Sequence, residues 1–414
     1  MLLCAVLAAT ACATVSPAVR AQAAQVPTTG QDFGVIERGR YLAILADCAA
    51  CHTDPADPRP FSGGRAIQTP FGNVVAPNIT PDVATGIGSW TEDEFDAAVR
   101  RGVMPNGARL YPAMPYPYYT RMSRADVLAI RAYLTTIQPV HKEVTSDELP
   151  FPFNIRFGMR VWDALYFDSG EFRPDPRQPA DWNRGAWLVE GPGHCGACHT
   201  PKSFLGGDKT HTALQGYAIQ GWFAPNITAD RRLGIGTWSE QDLVEYLKRG
   251  HNRFAGASGP MAEEVSDSSS MWDPADLRAV AVYLRSEAGS AGSAEAIAPK
   301  DPAMVAGAAI YGDLCSACHA PDGRGVPYLI PSLVDSPAVA GTDPTTVLQV
   351  IIRGAQTVAT REEPTAPQMP AYGAQLTDDQ LAAVATYIRN TWGHAAPAVS
   401  AHAVGSARKG LSGQ

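Results

Sequence analysis

Three short segments of this chain share one layout: Cys48-Ala-Ala-Cys51-His52, Cys195-Gly-Ala-Cys198-His199 and Cys315-Ser-Ala-Cys318-His319. Two cysteines three positions apart lie on one side of a helical turn, and the histidine that follows projects from the same turn. Covalent haem attachment needs this spacing. Each thiol adds to a vinyl group on one porphyrin edge, and the imidazole then sits beneath the iron. Each segment therefore reads as the attachment site of one c-type haem. The competing readings fit less well. Zinc requires four ligands, and no second cysteine pair accompanies any motif; thiol–disulfide exchange does not require the trailing histidine.

An internal repeat supplies candidates for the sixth iron ligand. The first two motifs are offset by 147 residues, and other segments recur at nearly the same offset. Ala76-Pro-Asn-Ile-Thr80 returns as Ala224-Pro-Asn-Ile-Thr228, Gly86 to Glu92 returns as Gly234 to Glu240, and Arg101-Gly102 returns as Arg249-Gly250. Met114 maps onto Met261, each 62 residues after its histidine, whereas Met104 and Met271 have no methionine at the matching position. In the third segment Met369 follows His319 by 50 residues, inside Gln368-Met369-Pro370. A proline beside the ligand, as at Pro115, Pro260 and Pro370, stiffens the backbone that presents the sulfur. The metal ligands expected are thus His52 with Met114, His199 with Met261, and His319 with Met369. Closed His/Met coordination leaves no position for a substrate and favours electron transfer over catalysis.

Each motif histidine needs its second ring nitrogen held, commonly by a backbone carbonyl. Pro331 is the candidate for His319, and Pro77 and Pro225 are the candidates for His52 and His199. Helices are expected before each motif (Gly39 to Cys48, Gly185 to Cys195, Gly307 to Cys315) and at the end of each unit, with small residues on the first crossing aromatics on the last. Thr91 and Ser239 read as N-caps, with Glu94 and Asp242 three residues on. The fold class expected is mainly α: three tandem cytochrome c domains, the first two an internal duplication.

The start of the chain has no charged residue from Met1 to Val19, and a small-residue site follows at Ala21-Gln22-Ala23. This reads as a signal peptide over 1–23, with an uncleaved anchor or a lipoprotein at Cys12 as alternatives. Cys4 and Cys12 fall inside it, so all six cysteines of the mature chain belong to the motifs. The expected boundaries are domain 1 over 24–145, a connector over 146–181, domain 2 over 182–287, a linker over 288–301, domain 3 over 302–393 and a disordered tail over 394–414. The connector holds the most aromatic stretch, Phe151 to Phe167, read either as buried between domains or as a docking face. A net charge of −8 argues against nucleic-acid binding.

With these residues in place, the chain resembles the triple-haem cytochrome c subunits of membrane-associated periplasmic dehydrogenases acting on alcohol, gluconate, sorbitol, fructose or aldehyde. The resemblance rests on Gly39-Arg-Tyr-Leu through Cys48-Ala-Ala-Cys51-His52-Thr53, Leu110-Tyr-Pro-Ala-Met114-Pro-Tyr116, His194-Cys195-Gly-Ala-Cys198-His199-Thr200-Pro201 and Gly221-Trp-Phe-Ala-Pro-Asn226-Ile-Thr228. It implies three covalently bound haem c groups and no catalysis by this chain. It also implies a catalytic partner holding pyrroloquinoline quinone, flavin or molybdenum cofactor, and membrane quinone or a terminal oxidase as acceptor. The implied location is the periplasm, in solution or peripherally at the outer face of the cytoplasmic membrane. A free-standing soluble shuttle and a multihaem peroxidase are the competing functions.

Overall fold

The computed structural model describes residues 32–144, 147–289 and 294–412; the expected leader lies outside them. The first stretch holds α1 (Phe33–Leu45), α2 (Cys48–His52), the hairpin β1 (Ala66–Thr69) and β2 (Gly72–Val75), α3 (Glu92–Arg101), α4 (Tyr116–Tyr119) and α5 (Arg124–Leu134). Then follow α6 (Gly158–Tyr166), α7 (Ala180–Glu190), α8 (Cys195–His199), the hairpin β3 (Tyr217–Ile219) and β4 (Trp222–Ala224), α9 (Glu240–Arg249), α10 (Pro260–Asp267) and α11 (Pro274–Leu284). The last stretch holds α12 (Pro302–Ile310), a π-helical turn Tyr311–Cys315, α13 (Ser316–His319), α14 (Pro337–Ala340), α15 (Thr345–Arg353), the short pair β5 (Ala355–Gln356) and β6 (Gln368–Met369), α16 (Asp378–Ile388) and α17 (Ala401–Ser412). The protein is mainly helical, and among the described residues the strands form three two-stranded antiparallel ribbons.

Three crossed helix pairs organise the chain: α1 on α5, α7 on α11, and α12 on α16. The same device brings each pair together. A Cβ on Gly39 would lie 1.8 Å from the carbonyl oxygen of Ala129, one on Gly185 2.0 Å from that of Ala279, and one on Gly307 2.3 Å from that of Ala383. Only glycine permits backbones this close. Tyr283 and Tyr387 flank two of these crossings, as the aromatic pattern of the closing helices suggested. The helix starts also follow their sequence signals. Thr91 with Glu94 and Ser239 with Asp242 form reciprocal capping boxes, and Ser123 with Asp126 and Thr377 with Gln380 add two more.

The first two helix pairs share one hydrophobic core, running from Leu42 to Leu284, and the third has its own, running from Tyr311 to Val404. The indole of Trp238 donates to the Asp335 carbonyl at 3.1 Å. Thr346, in the first turn of α15, bonds both the N–H and the C=O of Phe223 in β4. The second core is thereby fastened to the first.

One expectation about the connecting segments is corrected. The tail over 394–414 is ordered through Ser412: α17 packs on α15 and α16, and Val399 and Val404 are buried. Arg408 anchors it, bonding the Asp378 carboxylate and the carbonyls of Gly373 and Leu376. Fully buried Arg389 also holds it through the Pro397 carbonyl, along with those of Gly341 and Thr342. A single buried valine in the whole helix, Val404, is too sparse an apolar pattern to announce it, and arginine–carbonyl bonds that composition does not reveal hold it in place. The connector is held by side-chain bonds. Asp163 of α6 accepts from Tyr116 and pairs with Arg109, and Trp162 donates to the Leu205 carbonyl. Its outer face is open, with Phe151 79% and Phe157 70% exposed, so burial between domains holds for Met159, while Trp162 and Phe167 are half-buried.

Candidate haem sites

At each of the first two motifs, α1 or α7 ends and the chain turns through a left-handed residue, Asp47 (φ 48°) or His194 (φ 37°). A one-turn helix, α2 or α8, then carries both cysteines and the histidine. The sharp break aims the short helix across the end of the long one. In the third motif Cys315 closes a π-helical turn, while Cys318 and His319 lie on α13. This site is also the most open, with Cys318 exposed.

All three histidines are held in one way. Nδ1 of His52 lies 2.8 Å from the carbonyl oxygen of Pro77, that of His199 2.6 Å from Pro225, and that of His319 3.1 Å from Pro331. A carbonyl only accepts, so Nδ1 carries the proton and Nε2 keeps the lone pair that a metal needs. Burial lowers each histidine's pKa, partly opposed by its carbonyl bond, which favours the neutral, metal-competent ring. These are the three prolines expected from the sequence. The repeated Ala-Pro-Asn-Ile-Thr segment thereby acquires a role. Its proline carbonyl holds the histidine, and Asn78 or Asn226 accepts from the N–H and hydroxyl of the threonine two residues on, locking the turn. The hairpins β1–β2 and β3–β4 deliver that segment, ending just before Ala76-Pro77 and Pro225.

Sequence reasoning missed a second shared contact. The backbone carbonyl of each motif histidine accepts from a glycine N–H: Gly63 at 2.8 Å, Gly216 at 2.7 Å and Gly325 at 2.9 Å. All three glycines have positive φ (71°, 95° and 63°), a conformation that glycine adopts without strain. They follow their histidines by 11, 17 and 6 residues, so no fixed offset reveals them.

The six motif cysteines form no disulfide. Burial pushes the thiols of Cys48, Cys51 and Cys195 up to about 12 and that of Cys315 to about 11, and also raises Cys198. Exchange chemistry depends on a depressed thiol pKa, so these are poor candidates for a redox dithiol. Among the described residues no three His, Cys, Asp or Glu side chains converge as a metal cage. Free paired thiols beside an oriented imidazole fit covalent haem.

The three candidate methionines occupy different backbone settings. Met114 lies in the turn before α4 and packs on the first core; Met261 sits in the first turn of α10, after Pro260; Met369 is in β6 and packs on the second core. The helices that follow Met114 and carry Met261 reach across to the other unit. Tyr118 of α4 packs on Gly196 within the second motif, and Tyr119 lies against the ring of His194. α10 in turn packs on α2 of the first motif.

Residues 304–392 match the cytochrome c family. The chain is 38% identical over 422 residues to the fructose dehydrogenase cytochrome subunit of Gluconobacter japonicus, covering 95% of this chain and 86% of that one. It is 39% identical over 396 residues to the gluconate 2-dehydrogenase cytochrome c subunit of Pantoea cypripedii, covering 91% and 90%. The chain belongs to the dehydrogenase cytochrome c subunits. A third relative of this cytochrome subunit is the cytochrome c subunit of the quinone alcohol dehydrogenase of Komagataeibacter europaeus, 36% identical over 389 residues, covering 89% of this chain and 83% of that one. Membership supports an electron-transfer cytochrome with covalently bound haem and a catalytic dehydrogenase partner. No described helix is long and apolar enough to cross a membrane.

Proposed function

We propose that this cytochrome subunit carries three haem c groups and relays electrons without catalysis of its own. The haems attach through Cys48 and Cys51, Cys195 and Cys198, and Cys315 and Cys318. The irons are ligated by His52 and Met114, His199 and Met261, and His319 and Met369. The first two units are an internal duplication, and the third is a separate cytochrome c domain. Electrons enter from a periplasmic dehydrogenase subunit of the quinoprotein, flavin or molybdenum type, and leave to membrane quinone or a terminal oxidase. When bound, each haem supplies a one-electron iron couple. The chain's own residues hold it, orient the imidazole and close the coordination.

The observation that carries this reading is the threefold recurrence of one histidine geometry, in which a proline carbonyl fixes Nδ1 directly behind a Cys-x-x-Cys-His turn. The named roles of the relatives support the dehydrogenase partner.

A haem count tests it. Protein matured with a c-type haem apparatus is expected to show about three haems per chain in a pyridine haemochrome assay, with a low-spin reduced spectrum. Fewer than three, or a high-spin component that turns over peroxide, would defeat the closed-relay reading.

A further inference from the structure

The first two motifs each carry a cation on the backbone between their cysteines. Arg65 donates to the Ala50 carbonyl at 2.7 Å, inside Cys48-Ala-Ala-Cys51. Lys202 donates to the Gly196 carbonyl at 2.9 Å, inside Cys195-Gly-Ala-Cys198. Neither is a product of the repeat. The position matching Lys202 in the first unit is Pro55, and where Arg65 follows Gly63 in the first unit, Tyr217-Ala218 follow Gly216 in the second. Two unrelated side chains reach the same place on the two attachment turns.

Each cation is paired with an acid, and each pair is controlled from the opposite unit. Arg65 is bridged to Glu263 of α10. Lys202 is bridged to Asp208, and the Tyr118 hydroxyl of α4 donates to the same carboxylate. Lys202 is well covered, its side chain 12% exposed, and Arg65 is 26% exposed, so solvent screens neither charge fully.

We propose that Lys202 and Arg65 set the reduction potentials of the haems attached at Cys195–Cys198 and Cys48–Cys51, and that the opposite unit tunes each through its acid. The inference rests on the haem reading above. Taking up one electron lowers the positive charge of a haem iron by one, so a fixed cation nearby favours the reduced form and a fixed carboxylate opposes it. Removing the cation leaves the acid uncompensated and lowers the potential. Neutralising the acid leaves the cation and raises it. Because the cations differ in kind and in exposure, two otherwise similar sites acquire separate potentials, and an electron passing between them has a preferred direction.

Spectroelectrochemical titration of the intact three-haem protein tests this. Lys202→Met is expected to shift one of the three one-electron steps downward by about tenfold in its redox ratio, about 59 mV for a one-electron couple, and Asp208→Asn to shift the same step upward. Arg65→Met and Glu263→Gln are expected to move a different step, down and up respectively. Tyr118→Phe, which removes only the hydroxyl bond to Asp208, is expected to move the Lys202 step downward by a smaller amount. Steps that stay within twofold in the charge variants, or partners that shift a step in the same direction, overturn the proposal. Lys202→Gln replaces Lys202→Met if that variant does not mature. The haem count is measured on every sample. Wild type with fewer than three haems sinks the functional reading, whereas three haems with unmoved potentials sink only the role of the cations.

Discussion

A Cβ on Gly185 would lie 2.0 Å from the carbonyl oxygen of Ala279, so the crossing of α7 and α11 exists only because residue 185 has no side chain. Gly185→Ala is expected to push the helices apart and to lower the melting temperature by on the order of 5 °C, an overpacking cost of about 1–3 kcal/mol. Gly39→Ala and Gly307→Ala should behave alike, whereas Gly312→Ala, which meets nothing within 4 Å, should be tolerated. Thermal unfolding followed by circular dichroism decides the comparison.

Gly196 has the same dependence on a residue from the other unit. Its Cβ would lie 2.7 Å from the Tyr118 hydroxyl. Gly196→Ala should destabilise the wild-type background yet cost much less when Tyr118 is already alanine. The expected coupling in that double-mutant cycle is about 0.5–3 kcal/mol. Additive effects would mean that the two units are not packed as described.

Glu264 provides a pH signature. Burial raises its carboxyl from the ordinary 4.5 to about 7, opposed by hydrogen bonds from Ser269 and reinforced by Asp267. The folded state therefore keeps a proton that the unfolded chain has released. This group's contribution is full below pH 4.5 and is lost as pH rises through 7. The expected loss is about 1–3 kcal/mol between those limits. Denaturant unfolding at pH 5 and pH 8 measures it, and Glu264→Gln is expected to flatten the difference.

The tail makes a fourth test. Truncation after Ser400 removes α17 with buried Val404 and frees Asp378 from Arg408. A loss of about 2–4 kcal/mol from the third unit is expected, given a lost buried side chain and lost charge-assisted bonds. An unchanged unfolding transition would show that the helix does not stabilise the core it covers.

Much of the site could be read along the chain because its requirements are local. The motif histidines, their cysteines and the capping residues act within one or two helical turns, and short spacing specifies them. Pro77 and Pro225 were legible because the repeat preserved them, and Pro331 because it follows its histidine closely. The glycines that bond the histidine carbonyls escaped notice because loop length varies between the units while the hydrogen bond does not. The tail escaped because arginine–carbonyl bonds hold it more than an apolar stripe does.

By itself the sequence determined that three helical turns present two thiols and an imidazole, that the chain is mainly helical, and that its closing helices would cross its opening ones near glycine. Tertiary structure alone decided how the first two units meet. Arg65 and Glu263 are 198 residues apart, and Tyr118 and Asp208 are 90 apart. Such pairs arise where the two units pack against each other and bring polar side chains from distant parts of the chain within reach. Local spacing cannot encode them, because the partner is chosen by which surfaces the fold brings face to face.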